Sequence, residues 1–319
     1  MKIEDEIMRI KHSKNNTILQ IFLFGVIVLS GILVSAQTPR TITIMTEPNA
    51  IVWINDVRFG TTGADGKLTL SIASGGSKKI RVRADGFKET TQNLLAAQKG
   101  NIKIALIKTT DQAELAFQQA ETLSASDKDK AIELYKKAIG LRPKYAEAFL
   151  GLARILGDNG DTAEALKAVK AAKRLRPIYA EASAVEGRIY KTNGDEELAI
   201  AAFKKAITEG KGFQAEALTG LGLLYREKAE TFSSAGDFES EKEYYLLAAG
   251  ELKKAVAQIA GSSDAMTIYQ LLGDCYERAK MYKEAIAVYE EFLRIYPDSN
   301  EAVTVRSFIK HIKKQMSEH

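Results

Sequence analysis

Two rhythms of apolar and polar residues divide the chain. Between residues 37 and 108, apolar side chains alternate with polar ones. TITIM (41–45), AIVWIN (50–55), KLTLSI (67–72), KKIRVRA (78–84) and NIKIALI (101–107) each carry the two-residue period of a strand with one buried face. EPNA, ADG, SGG, ADGF and QKG separate them, and these are turn chemistries. Five such strands predict a small antiparallel sandwich or barrel. From Thr110 onward the apolar residues recur at helical spacing instead, so the chain is predicted to be α+β with the two parts segregated.

The helical part repeats itself. LRPKYAEA at 141–148 returns 34 residues later as LRPIYAEA at 175–182. Small residues recur in a first segment of each unit (Ala153, Gly187, Gly222, Gly273) and in a second (Ala131, Ala165, Ala199, Ala285). Large apolar residues keep fixed offsets from them: Leu156, Tyr190, Tyr225 and Tyr276 in the first, Tyr135, Val169, Phe203 and Tyr289 in the second. DNGD (158–161) and TNGD (192–195) supply residues that tolerate the positive φ ending a helix. Pro143, Pro177 and Pro297 then stop the second segment in one shared slot. Each unit therefore reads as a hairpin of two amphipathic helices that must bury its apolar side against a neighbour.

This small-x-x-aromatic, Ala-x-x-x-aromatic-x-x-Ala and terminal-proline pattern resembles the tetratricopeptide repeat, in five units over about 112–145, 146–179, 180–214, 215–265 and 266–298. Departures are Gln119 at the small slot of the first unit, Lys211 at the proline slot of the third and Phe292 at the alanine slot of the fifth. The fourth unit is about 18 residues too long, and REKAETFSSAGDFESEKEYY is rich in helix formers. A hairpin lengthened by two turns in each arm accommodates the excess. Residues 299–319 are expected to cap the array, with Ala302, Val305, Phe308, Ile309 and Ile312 on one helix face and Arg306, Lys310, Lys313 and Lys314 on the other.

The resemblance implies a right-handed solenoid whose first helices line a concave groove. Carried over by position, the groove would present Glu147, Leu150, Arg154, Glu181, Arg188, Lys191, Glu216, Leu223, Arg226, Asp274 and Arg278. Mixed charge with some apolar residues suits an extended peptide or a helix. The family's carboxylate clamp needs Lys and Asn at slots that here hold Leu150, Arg154, Gly151 and Val185, so that specificity is not expected.

EPNA-IVWIND-x-x-x-GTT, a Gly-Gly turn and IRVRADGF resemble the PEGA domain, a surface-associated β module of bacterial proteins, through Pro48, Ala50, Val52, Ile54, Asn55, Gly60, Thr61, Thr62, Gly86 and Phe87. Asn49 and Asp56 replace its usual glycines and Gly63 its usual proline; a carboxypeptidase-regulatory-like β fold is the alternative. Trp53 points opposite to Val52 and Ile54, where it could stack on a sugar or pack against the next domain. Lys79, Arg81 and Arg83 make one strand face basic, suited to an anionic envelope polymer or to simple solvation.

An uncharged apolar run at 18–34 follows Lys2, Arg9, Lys11 and Lys14 and precedes Val34-Ser35-Ala36-Gln37. Residues 1–36 thus read as a signal peptide cleaved before Gln37, or as a signal anchor, with the remainder outside the cytoplasm. The chain is formally +4, too mild a balance to argue nucleic-acid binding. Its one cysteine, Cys275, cannot form an internal disulfide and sits beside an expected core position. No histidine triad, HExxH, CxxC cluster, phosphate loop or calcium-loop spacing occurs, so no enzyme, cofactor or metal is expected. The sequence points to an exported, non-catalytic scaffold for protein or peptide partners. The alternative is an envelope-polymer binder that uses its repeats as a stalk or oligomerisation surface.

Overall fold

In the computed structural model, residues 40–318 are described except Asp56 and residues 73–76. The segment expected to be a signal peptide or anchor lies outside the described residues, as does the SGG turn. Among the described residues seven strands come first: β1 (Arg40–Met45), β2 (Ile51–Ile54), β3 (Val57–Thr61), β4 (Lys67–Ile72), β5 (Lys78–Arg83), β6 (Thr90–Leu94) and β7 (Gly100–Lys103). They form a three-stranded sheet in the order β4-β1-β7 and a four-stranded sheet in the order β3-β2-β5-β6. Ile42, Ile44, Leu70 and Ile102 from the first pack with Val52, Ile54, Ile80 and Val82 from the second in a closed core.

Two strands escape the apolar-alternation rule, and each for a visible reason. In β3, Gly60 at φ 147° interrupts the pattern, and the pairing with β2 is irregular between Val52 and Trp53. In β6, only Leu94 is fully buried, so the sequence TTQNL shows no apolar rhythm. The sheets are also not purely antiparallel: β1 pairs with β7 in parallel, Ile44 opposite Ile102.

Eleven helices follow among the described residues: α1 (Gln112–Leu123), α2 (Lys128–Leu141), α3 (Ala146–Asp158), α4 (Thr162–Leu175), α5 (Ala180–Asn193), α6 (Glu196–Glu209), α7 (Ala215–Ala235), α8 (Phe238–Ile259), α9 (Ser263–Arg278), α10 (Tyr282–Ile295) and α11 (Ala302–Glu318). They pack as successive hairpins, each second helix also meeting the first helix of the next unit. The small residues let neighbours approach: a Cβ on Gly187 would sit 2.6 Å from the Phe203 ring, and one on Gly273 2.2 Å from that of Tyr289. Tyr135, Val169, Phe203 and Tyr289 are all buried at the centre of their units.

The irregular units have local explanations. Phe292 is fully buried, its ring 5.3 Å from Tyr296 and 6.2 Å from Tyr269, so the fifth unit fills an alanine slot with an aromatic cluster. At the end of α6, Lys211 (φ 53°) and Gly212 (φ 86°) reverse the chain without a proline. The fourth hairpin has arms of 21 and 22 residues, closed at Gly236 (φ 78°) and capped by Asp237, whose carboxylate accepts from the Ser240 N–H at 3.1 Å. Beyond α10, α11 buries Ala302, Val305 and Ile312 and lays Phe308 against Tyr289. Among the described residues no helix is long and apolar enough to cross a membrane.

Candidate functional site

The first helices α3, α5 and α7 lie side by side, and their facing side chains are joined in an ion-pair lattice rather than left singly in solvent. Arg154 on α3 reaches past α5 to Glu216 on α7, with both guanidinium nitrogens 2.8 Å from carboxylate oxygens. Arg188 on α5 lies 3.4 Å from Asp158 and 3.9 Å from the same Glu216. Lys191 pairs with Glu227 of α7, Arg226 with Asp274 of α9 at 3.4 Å, and Asp274 with Arg278 at 3.6 Å. Glu147 holds Arg176 from the end of the second unit. Burial works against charge at Arg154 and Glu216, but their mutual attraction exceeds it. The guanidinium pKa is held above, and the carboxyl pKa below, its ordinary value.

The four-stranded sheet of the β module covers this row. Its inner face belongs to the sandwich core; its outer face carries Ile51, Trp53, Arg81 and Arg83, brought together because Trp53 opposes Arg81 and Ile51 opposes Arg83. The Arg83 guanidinium lies between the Trp53 ring (5.2 Å) and the Phe117 ring of α1 (4.5 Å). It pairs with Glu89 of its own module and with Glu121 of α1. Arg81 stacks 4.4 Å from Trp53 and reaches Glu181 of α5 at 3.6 Å. Gln118 of α1 closes the seam: its side-chain oxygen accepts from the Gly86 N–H at 2.9 Å and its nitrogen donates to the Phe87 carbonyl at 2.7 Å. At the far end, Val57 packs on the apolar cluster of the fourth and fifth units.

Between sheet and helices remains a cavity of about 870 Å³. Trp53, Arg81 and Arg83 line it from above; Glu147, Arg154, Glu181, Arg188, Lys191, Glu216 and Leu223 line it from below. Leu150 reaches the same space but is 4% exposed and belongs to the helical core. Arg226, Asp274 and Arg278 do not line it.

The basic strand face is therefore not a free surface. Trp53 and Arg83 are buried and Arg81 is nearly so, all three turned toward the helices; Lys79 is the exposed member, on the same strand. Sequence reasoning missed Phe117, Gln118 and Glu121, which make the seam. No repeat position marked them: Gln119, at the missing small slot of the first unit, is exposed, while Gln118 beside it is buried against the β module. Among the described residues no cluster of His, Cys, Asp and Glu is arranged to hold a metal ion.

Hairpins of this length, stacked through small-residue slots with a lined row of first helices, define a helical-repeat interaction array. The chain carries tetratricopeptide repeats: family models described by that name match residues 122–189, 180–209 and 267–299. Yeast Tom70 is similar at 17% identity and a TM-score of 0.51, over 65% of this chain and 41% of that one. A thermophilic TPR protein of Thermus thermophilus aligns at 21% identity over 63% of this chain and 98% of its own, with a TM-score of 0.44. MamA aligns at 25% identity over 56% of this chain and 93% of its own, with a TM-score of 0.38. No curated protein matches the chain.

Proposed function

We propose that the protein is a non-catalytic, exported scaffold that holds a protein or peptide partner along its first helices. The repeats support an interaction scaffold in general. The observation that carries the finer reading is the cavity of about 870 Å³, where side chains of five successive first helices converge. Its lining mixes Leu223 and aromatic rings with paired charges, which suits a chain that offers backbone hydrogen bonds and a few side chains. The PEGA-like β module is then the cover of the site, and export rests on the basic flank and apolar run at residues 2–34. The polymer-binding alternative needed a free basic face, and three of its four residues face the helices.

The reading is tested by placing a photo-crosslinking residue at half-buried Leu223 and, as control, at Leu198, which is 51% exposed and outside the cavity lining. A discrete cross-linked partner from Leu223 and none from Leu198, in the intact cell, is expected. Equal yields from the two positions would remove the groove from the account. Peptides from residues 1–36 on the mature protein would overturn cleavage.

A further inference from the structure

The outer face of the four-stranded sheet behaves as a ligand of the helices it covers. Trp53 supplies a ring, and Arg81 and Arg83 supply two cations one side chain apart on the same strand face. The helices answer with Glu121 and Phe117 from the first unit and Glu181 from the third. These contacts join elements far apart in sequence, and they place an extended strand across the first helices in the position where a bound peptide would lie. The first-helix charges beneath are satisfied differently. Arg154 and Arg188 both pair with Glu216, and Glu147 pairs with Arg176, all within the helices. Glu121 and Glu181 take arginines from the β module.

We propose that the β module is a built-in occupant of the groove, displaced by a partner segment that is extended and carries two arginines beside an aromatic residue. This rests on the groove being the partner site and names the chemistry and regulation of that site. A segment without cations would give up the contacts that Arg83 and Arg81 now make with Glu121 and Glu181, which is costly once those carboxylates are shielded from water. Arginine fits better than lysine because both module arginines stack on rings while pairing with carboxylates, and a planar guanidinium does both. Competition from within the same chain lowers apparent affinity by the fraction of molecules that are open. Opening the module therefore tightens peptide binding with no change in the groove.

The test uses the full chain and a fluorescent synthetic peptide with tryptophan flanked by alternating arginines. Arg81→Glu with Arg83→Glu sets like charges against Glu89, Glu121 and Glu181 and releases the module, with every helix residue of the groove unchanged. Glu121→Gln with Glu181→Gln also loosens the module but removes the peptide's carboxylates. Hydrogen exchange along β5, α1 and α5 reports opening, and circular dichroism reports folding. We expect faster exchange in both variants, and peptide affinity at least roughly tenfold tighter than wild type only in the arginine variant. Should the arginine pair variant not fold, Arg81→Gln alone is read the same way, with a smaller gain. Unchanged exchange in all folded variants overturns the built-in occupant. Opening without tighter peptide binding, or equal tightening in both pair variants, overturns the arginine-bearing partner. Either failure leaves the groove reading standing if Leu223 cross-links a partner, and that reading falls separately if the opened protein cross-links nothing.

Discussion

Arg154 and Glu216 are 62 residues apart and form a two-armed ion pair, both contacts 2.8 Å, across α5, the first helix that lies between their own. An ion pair between adjacent repeats would report only their interface. This one ties the second unit to the fourth, with Arg188 of the third drawn to the same carboxylate at 3.9 Å. Glu216→Gln should therefore loosen three units at once. Both side chains are about a third exposed, so the expected cost is modest, about 1–2 kcal/mol by denaturant unfolding. In a double-mutant cycle with Arg154→Met, the coupling should be most of that cost. A coupling near zero would show the pair to be ornamental.

The same pair sets a pH dependence. The Glu216 carboxyl is held below its ordinary value of 4.5 because Arg154 and Arg188 outweigh the effect of its burial. A depressed carboxyl contributes stability that is fully present above its unfolded value and disappears as pH falls through the folded one. The stability gap between wild type and Glu216→Gln should thus stay constant from neutral pH down to about 5 and close below 4.5. A gap that widened on acidification would contradict the assignment. Unfolding curves of both proteins at several pH values decide it.

Two glycines separate close approach from mere flexibility. A Cβ at Gly273 would meet the buried Tyr289 ring at 2.2 Å, whereas one at Gly250, in the middle of α8, would meet nothing within 4 Å. Gly273→Ala should lower stability by about 1–3 kcal/mol through overpacking. Gly250→Ala should raise it by about 0.5–1 kcal/mol, since alanine is the better helix former. Opposite shifts in melting temperature from the same chemical change are the expected result.

How much of this was legible in the sequence depends on how local the cause is. The two-helix period was written in Ala131, Ala165, Ala199 and Ala285, because each is fully buried at the same place in its second helix. The long fourth hairpin was readable from the helix formers between Tyr225 and Ala248. The strand TTQNL was not, since one buried leucine makes no rhythm. The seam was hidden for a further reason. Arg81 and Arg83 alternate like any solvated strand face, and only the chain's return across the helices turns that face into an interior one. Long-range pairing of charges leaves no periodic trace.

Gln118 probes that seam directly. It is 4% exposed and makes two hydrogen bonds to the backbone at Gly86 and Phe87. Replacing it by leucine keeps the volume but leaves the half-buried Gly86 N–H and Phe87 carbonyl without their partner, at about 1 kcal/mol. Because the loss falls on the joint between α1 and the β module, amide exchange should quicken at Gly86 and along β5 while α9 and α10 keep wild-type protection. A uniform loss across all helices would mean that the two parts unfold as one.

Cys275 offers a reading that needs no substitution. Its thiol is fully buried in the core of the fourth and fifth units, and burial pushes its pKa up to about 12. The thiolate is the reactive form, so at pH 8 the native protein should resist a thiol-specific reagent over the period in which the denatured chain reacts fully. Labelling in rising denaturant then times the opening of the last repeats. If opening of the β module is local to the groove, the Arg81→Glu, Arg83→Glu protein should label no faster than wild type. Faster labelling would mean that Val57, which packs on this cluster from β3, helps hold the distal repeats closed.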